Sequence, residues 1–191
     1  INFLCQHLES YSLKGIRKRD YPASLFFHQP WWGDYKKFND YMTRIGILLA
    51  EGEINTDVLI LHGQSSAWLC FNNKDNKPGE RYFDSFNSLS NLLDQAHVNY
   101  HYGDETMIAM HGSVKDKSFV IGKQSYKLVI VPKIKNLSPE VFELLKKFVA
   151  NGGKVLVVKN DLENTPVYIG GELKGSEELL SKTILFQNEE E

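Results

Sequence analysis

A histidine, a glutamine and two tryptophans follow an apolar run near the start of the chain, and their types suit a sugar ligand. The run, residues 23–27, is typical of a strand, and Pro30 is expected to end the strand shortly after it. The residues in question are His28, Gln29, Trp31 and Trp32. Histidine and glutamine can hydrogen-bond hydroxyl groups, and an indole offers an apolar face with one N–H donor. Because sites gather at strand ends in α/β folds, these four residues are predicted to line a sugar subsite.

The paired tryptophans also admit a purely structural interpretation, in which both rings are a packing wedge between two subdomains. Adjacent side chains on an extended chain point to opposite sides. One ring is therefore expected to face a ligand. The other is expected to pack under the helix predicted to begin at Asp34.

The elements that would position these residues follow from hydrophobic spacing. Residues 34–51 predict a long amphipathic helix with an apolar stripe, and Gly52 suits the position after its end. From residue 55 onward the sequence pattern predicts alternating strands and helices. Strands are predicted at 57–61, 98–102, 127–131 and 154–158, and helices at 84–97 and 139–150. Also predicted are a hairpin over 118–126, a helix over 176–182 and a strand over 184–186. This order predicts a three-layer α/β domain with a mostly parallel sheet.

Composition narrows the class of protein. The formal net charge of -2 gives no basic field, so nucleic acid is not expected as a partner. No apolar run reaches membrane-spanning length, so a membrane is not expected either. Two cysteines without a C-x-x-C spacing favour a reduced, cytoplasmic compartment, although one long-range disulfide stays open. The chain begins at Ile1 with strand-like text, and we expect it to be a piece of a longer protein.

Motifs for nucleotide, metal or nucleophilic chemistry are not found in the sequence. The loop after the strand 57–61 has one glycine and no lysine, unlike a dinucleotide or P-loop motif. Gly63-Gln64-Ser65 begins a nucleophile elbow, but Ala67 stands where a second glycine belongs. The histidines show no metal-binding spacing. The sequence therefore predicts neither a cofactor nor a metal.

Carboxylates are the remaining candidates for catalysis, since glycosidases use two of them across one bond. The candidates are Glu9, Asp34, Asp104 and Glu105. Asp104 and Glu105 are expected to lie in a solvated loop, or to cap a turn at Thr106. Glu9 is left as a weak catalytic candidate.

Several of these residues together resemble the end of a glycoside-hydrolase (β/α)8 barrel of the β-galactosidase-like and α-L-rhamnosidase-like kinds. They are the runs from His7 through Tyr11, 17–22 and 28–32, then Asp40, Tyr41 and Arg44, and Leu48-Leu49 to Gly52. In such enzymes a Pro-Trp-Trp ends the last barrel strand, and a flavodoxin-like domain similar to class I glutamine amidotransferases follows. The text from Leu128 to Val158 resembles the closing βαβ unit of that domain.

The resemblance implies a barrel end with its long helix over residues 1–53 and a flavodoxin-like α/β domain over 54–191. It implies a role in the hydrolysis of glycosidic bonds, a carbohydrate partner, and assembly into a trimer or dimer. Without an elbow, glutaminase activity is not expected. At most one barrel carboxylate would fall in this piece, and only Glu9 could be it. His7 holds the strand-end position and is predicted to bind substrate together with His28, Gln29, Trp31 and Trp32. We therefore expect the chain alone to be inactive. The alternative is a non-catalytic carbohydrate-binding or assembly module.

Overall fold

A computed structural model describes residues 27, 29–75, 77–158, 168–173 and 184–186. The chain divides into two compact units, Ile1–Ile54 and Asn55–Glu191. The predicted strands before residue 27 and the predicted helix over 176–182 lie outside the described residues, as do His7, Glu9 and His28. Among the described helices, none is long and apolar enough to cross a membrane.

The described part of the first unit is a tight turn followed by one long helix. A 3-10 turn over Trp32–Asp34 leads into α1, Tyr35–Ala50, which confirms the helix predicted from spacing. Gly52 follows with a φ of 98°, a conformation that glycine adopts without steric cost. No residue of α1 is fully buried, and Phe38, Leu48 and Leu49 of its apolar stripe are exposed.

The second unit alternates strands and helices. The strands are β1 Val58–His62, β2 Tyr100–Asp104, β3 Gly112–Lys115, β4 Ser118–Ile121, β5 Gln124–Tyr126, β6 Leu128–Val131, β7 Asn136–Leu137, β8 Lys154–Val158, β9 Tyr168–Ile169, β10 Glu172–Leu173 and β11 Ile184–Phe186. The helices are α2 Gln64–Cys70, α3 Lys77–Gln95, α4 Glu105–His111 and α5 Pro139–Ala150.

Five strands form a parallel central sheet in the order β11-β8-β6-β1-β2. The predicted parallel arrangement of β1, β6 and β8 is thereby confirmed. Read from the β2 edge, the order is β2-β1-β6-β8-β11. The second strand of this sheet in chain order therefore lies outside the first, and the third, fourth and fifth follow on the other side of the first. Flavodoxin-like sheets have this order, so the α/β fold is compatible with that class. The predicted hairpin is confirmed by the antiparallel pair β4 and β5, which β3 extends to a three-stranded sheet.

The hydrophobic core cluster lies on one face of the central sheet. Leu59, Leu61, Val129, Val131 and Val155 alternate along β1, β6 and β8 and pack with side chains of α4, α5 and β4. Ile60 and Ile130, at the positions between them, are buried as well, so β1 and β6 are covered on both faces, as their continuously apolar runs indicate.

The helix predicted over 139–150 is confirmed as α5. Ser138 caps it by accepting a hydrogen bond from the Val141 amide, with Pro139 at the first helical position.

The opposite face carries tyrosines of the edge strand β2. The Tyr102 hydroxyl donates to Ser90 Oγ of α3 at 3.0 Å and lies 3.4 Å from the Tyr100 hydroxyl. Hydrogen bonding to Tyr102, followed by burial, raises the pKa of Tyr100 to about 12. These contacts hold α3 over β2.

Two local expectations were wrong. The segment after β1, which was expected to be a loop, contains the helix α2 over Gln64–Cys70. The helix predicted over 84–97 begins earlier than expected, since α3 runs over Lys77–Gln95. Proline is tolerated in a first helical turn, which explains why Pro78 does not prevent this start.

Candidate functional site

The residues around Pro30 form a compact turn. The Trp32 amide donates to the Gln29 carbonyl at 3.0 Å, and the Asp34 amide donates to the Trp31 carbonyl at 2.9 Å. The 3-10 turn then runs directly into α1. This coiling brings aromatic side chains spaced three and four residues apart onto one side of the chain.

Four rings meet there and are called the aromatic cluster: Trp31, Trp32, Tyr35 and Phe38. Tyr35 lies at the centre. Its ring stacks on Trp32, with 5.2 Å between centroids and 19° between planes, and on Phe38 at 6.0 Å and 15°. Trp31 approaches Tyr35 at 5.7 Å with a tilt of 59°. Stacked and tilted pairs of this kind contribute about 0.5–1.5 kcal/mol each beyond area burial.

Both indoles are available to a ligand, since Trp31 and Trp32 are each 41% exposed. The expectation that one ring faces outward while the other packs under the helix was wrong. It assumed an extended chain, on which adjacent side chains diverge. The turn over Trp32–Asp34 instead brings both rings against Tyr35.

The Tyr35 hydroxyl oxygen is buried and has no hydrogen-bond partner. Among the described residues, it is the single buried side-chain nitrogen or oxygen atom that lacks one. Such an atom costs about 1–3 kcal/mol compared with a satisfied one. Hydrophobic spacing does not indicate such a group, because burial of a single hydroxyl depends on the tertiary packing around it.

The predicted site residues therefore have three outcomes. Trp31 and Trp32 come together in the aromatic cluster, and Gln29 is half-buried beside it in the turn. His7, His28 and the catalytic candidate Glu9 lie outside the described residues. Tyr35 was missed, although its spacing of three residues from Trp32 on a predicted helix was a usable signal.

The carboxyl edge of the central sheet is the other place where a ligand would be expected. Glu105 lies there, directly after β2, and is 6% exposed. Its carboxylate accepts from the Ser65 amide at 2.9 Å and from the Ser138 amide at 3.2 Å. The expectation of a solvated loop was therefore wrong for Glu105. Asp104 does cap α4, accepting from the Met107 amide at 3.0 Å.

Ser66 and Asn136 close the same edge. The buried Ser66 hydroxyl accepts from the amides of Lys135 and Asn136, both at 2.9 Å, and donates to the Asn136 carbonyl at 2.9 Å. The Asn136 side-chain oxygen accepts from the Gly171 amide at 2.9 Å. These side chains join the segments after β1 and β6 to the β9–β10 hairpin.

The segments after β1 and β6 also touch directly at the carboxyl edge. A Cβ added to Gly63 would overlap the Ile134 side chain, so the two segments are in direct contact. In flavodoxin-like sheets the crevice between these segments is the usual ligand position. Within the described residues there is also no group of three or more His, Cys, Asp or Glu side chains that could hold a metal ion. The polar groups of this edge thus serve the fold.

No protein-family model, no curated protein and no solved structure matches the chain.

Proposed function

We propose that this chain is part of a glycoside hydrolase that acts on glycosidic bonds, and that its α/β unit has a structural, oligomerisation or site-shaping role. The observation that carries the proposal is the aromatic cluster. Its two half-exposed indoles stand beside Gln29 at a turn, and apolar ring faces next to polar hydrogen-bonding groups suit the C–H face and hydroxyls of a sugar.

The proposal includes the finer architecture that the resemblance implies. The turn at Pro30 followed by α1 is the order expected after the last strand of a (β/α)8 barrel. The parallel sheet order supports a class I glutamine amidotransferase-like domain behind it. With no nucleophile elbow, and with Glu105 and Ser66 engaged by backbone groups, a non-catalytic role is the better assignment for this domain.

Substitution of the indoles in the parent enzyme tests the sugar subsite. Trp31→Ala and Trp32→Ala are expected to lower kcat/KM on an aryl glycoside about tenfold or more, equivalent to about 1.4 kcal/mol. The melting temperature should change little, because neither ring is fully buried. Tyr41→Ala is a matched control, since it removes an exposed aromatic ring from α1 outside the aromatic cluster. If the first two variants lose stability but keep wild-type kinetics, the rings are only packing elements.

The chain alone is expected to be inactive on a panel of aryl glycosides, because it would contain at most one barrel carboxylate. Turnover that disappears in Glu9→Gln would show that this expectation is wrong.

A second candidate function, a non-catalytic assembly module, is favoured by exposed apolar side chains on α2, α3 and the segment between them. These are Trp68, Leu69, Phe71 and Phe83, with Trp68 70% exposed. Sedimentation at several concentrations, with Trp68→Ser as the disrupting variant, tests this role. A chain that stays monomeric at every concentration argues against assembly.

A further inference from the structure

The hydroxyl of Tyr35 is costly for the fold as it stands. Its oxygen is buried without a hydrogen-bond partner, while the Tyr35 ring stacks with Trp32 and with Phe38. A phenylalanine would make the same ring contacts and avoid the desolvation penalty. Local arrangements that lower stability in this way are expected at functional sites.

We propose that the Tyr35 hydroxyl is a ligand-binding group of the aromatic cluster, and that it hydrogen-bonds a hydroxyl of a pyranoside whose apolar face stacks on an indole. The inference rests on the proposed function and adds the residue that reads a sugar hydroxyl. Stacking alone accepts any flat apolar face, whereas a hydroxyl at a fixed position selects a ligand that can complete its hydrogen bond.

The geometry indicates how the ligand reaches this group. The hydroxyl oxygen is buried in the structure, so a neighbouring side chain must move before a sugar can reach it. Of the two indoles, Trp32 is the proposed stacking platform, because the Tyr35 ring and the proposed sugar would both lie parallel to it; its ring is at 19° to Tyr35, whereas Trp31 is tilted by 59°.

The experiment compares Tyr35→Phe with Tyr41→Phe, which removes a hydroxyl from a 60% exposed tyrosine on the same helix. Both are made in a Trp68→Phe background of the 191-residue chain, so that Trp31 and Trp32 are the tryptophan reporters. The probes are methyl β-D-galactopyranoside and methyl α-L-rhamnopyranoside, titrated by tryptophan fluorescence and by saturation-transfer NMR.

Tyr35→Phe is expected to raise Kd for the bound glycoside about 3- to 10-fold, the usual effect of one neutral hydrogen bond, and to raise the melting temperature. Tyr41→Phe should change neither. The pairing of weaker binding with higher stability distinguishes a ligand-binding role from a structural one.

Three results would overturn the inference. If Tyr35→Phe binds the glycoside like the wild-type chain, the hydroxyl does not contact the sugar, while the proposed function stands. If Tyr35→Phe melts lower, the hydroxyl has a structural partner. If the wild-type chain binds neither glycoside, the sugar subsite itself is wrong, and the inference fails with it.

Discussion

Glu105→Ala should be among the most destabilising single changes in the α/β unit. The carboxylate joins three segments that are distant in sequence: Glu105 itself, the start of α2 at Ser65, and the cap of α5 at Ser138. The Glu105 side chain is buried, so water does not readily replace it as the acceptor for the two amides when it is removed.

The magnitude follows from the donors left behind. Alanine leaves the amides of Ser65 and Ser138 without an acceptor in a half-buried environment. Each stranded donor costs about 1–3 kcal/mol, so the free energy of unfolding should fall by about 2–6 kcal/mol. Glu105→Gln should cost less, because the amide oxygen can still accept from one of the two N–H groups.

Urea denaturation followed by circular dichroism measures this loss, and amide hydrogen exchange locates it at Ser65 and Ser138. Glu143→Ala is the matched control, because that side chain is 68% exposed and pairs with Lys146 at the surface. Its cost should stay within about 0.5 kcal/mol. If Glu105→Ala costs no more than this control, or if the two amides keep their protection, the carboxylate does not hold the edge together.

Two further changes test packing and ionisation. Gly153→Ala should destabilise by about 1–3 kcal/mol in thermal unfolding, because its Cβ would overlap the buried Phe148 ring; Gly46→Ala, with open space around it in α1, should instead be neutral or stabilising by up to about 1 kcal/mol. Burial, with a smaller contribution from the Cys70 thiol, raises the pKa of Tyr82 from 10.0 to about 12. Since the folded state keeps this proton longer than the unfolded chain, stability should fall as pH rises from 10 towards 12, and alkaline unfolding of Tyr82→Phe should lack that component.

The regular elements could be predicted because their signals are local. The runs of β1, β6 and β8 are continuously apolar, as strands covered on both faces are, and Ser138 with Pro139 marked the start of α5. Spacing of three and four residues marked α1. Their parallel arrangement followed from the alternation of strands and helices.

The misses depended on contacts between distant residues or on turn geometry. Glu105 was expected in solvent because an acid after a strand usually is, and its burial requires partners 40 and 33 residues away. The joint contact of Trp31 and Trp32 with Tyr35 depended on a 3-10 turn where an extended chain was assumed. Hydrophobic spacing predicts neither the burial of Glu105 nor the contact of both tryptophans with Tyr35.

The state of the polar groups separates the structural edge from the candidate site. At the carboxyl edge, Glu105, Ser66 and the Asn136 side-chain oxygen are bonded to backbone groups, and Ile134 fills the space against Gly63. A ligand entering there would have to break bonds that hold the fold, at the cost of stranding buried donors. At the aromatic cluster the indoles are half-exposed, and the Tyr35 hydroxyl has no hydrogen-bond partner, so a ligand that reached it would displace side-chain packing but break no hydrogen bond of that hydroxyl. For this reason the search for binding belongs at the start of α1, although strand order alone would direct it to the sheet.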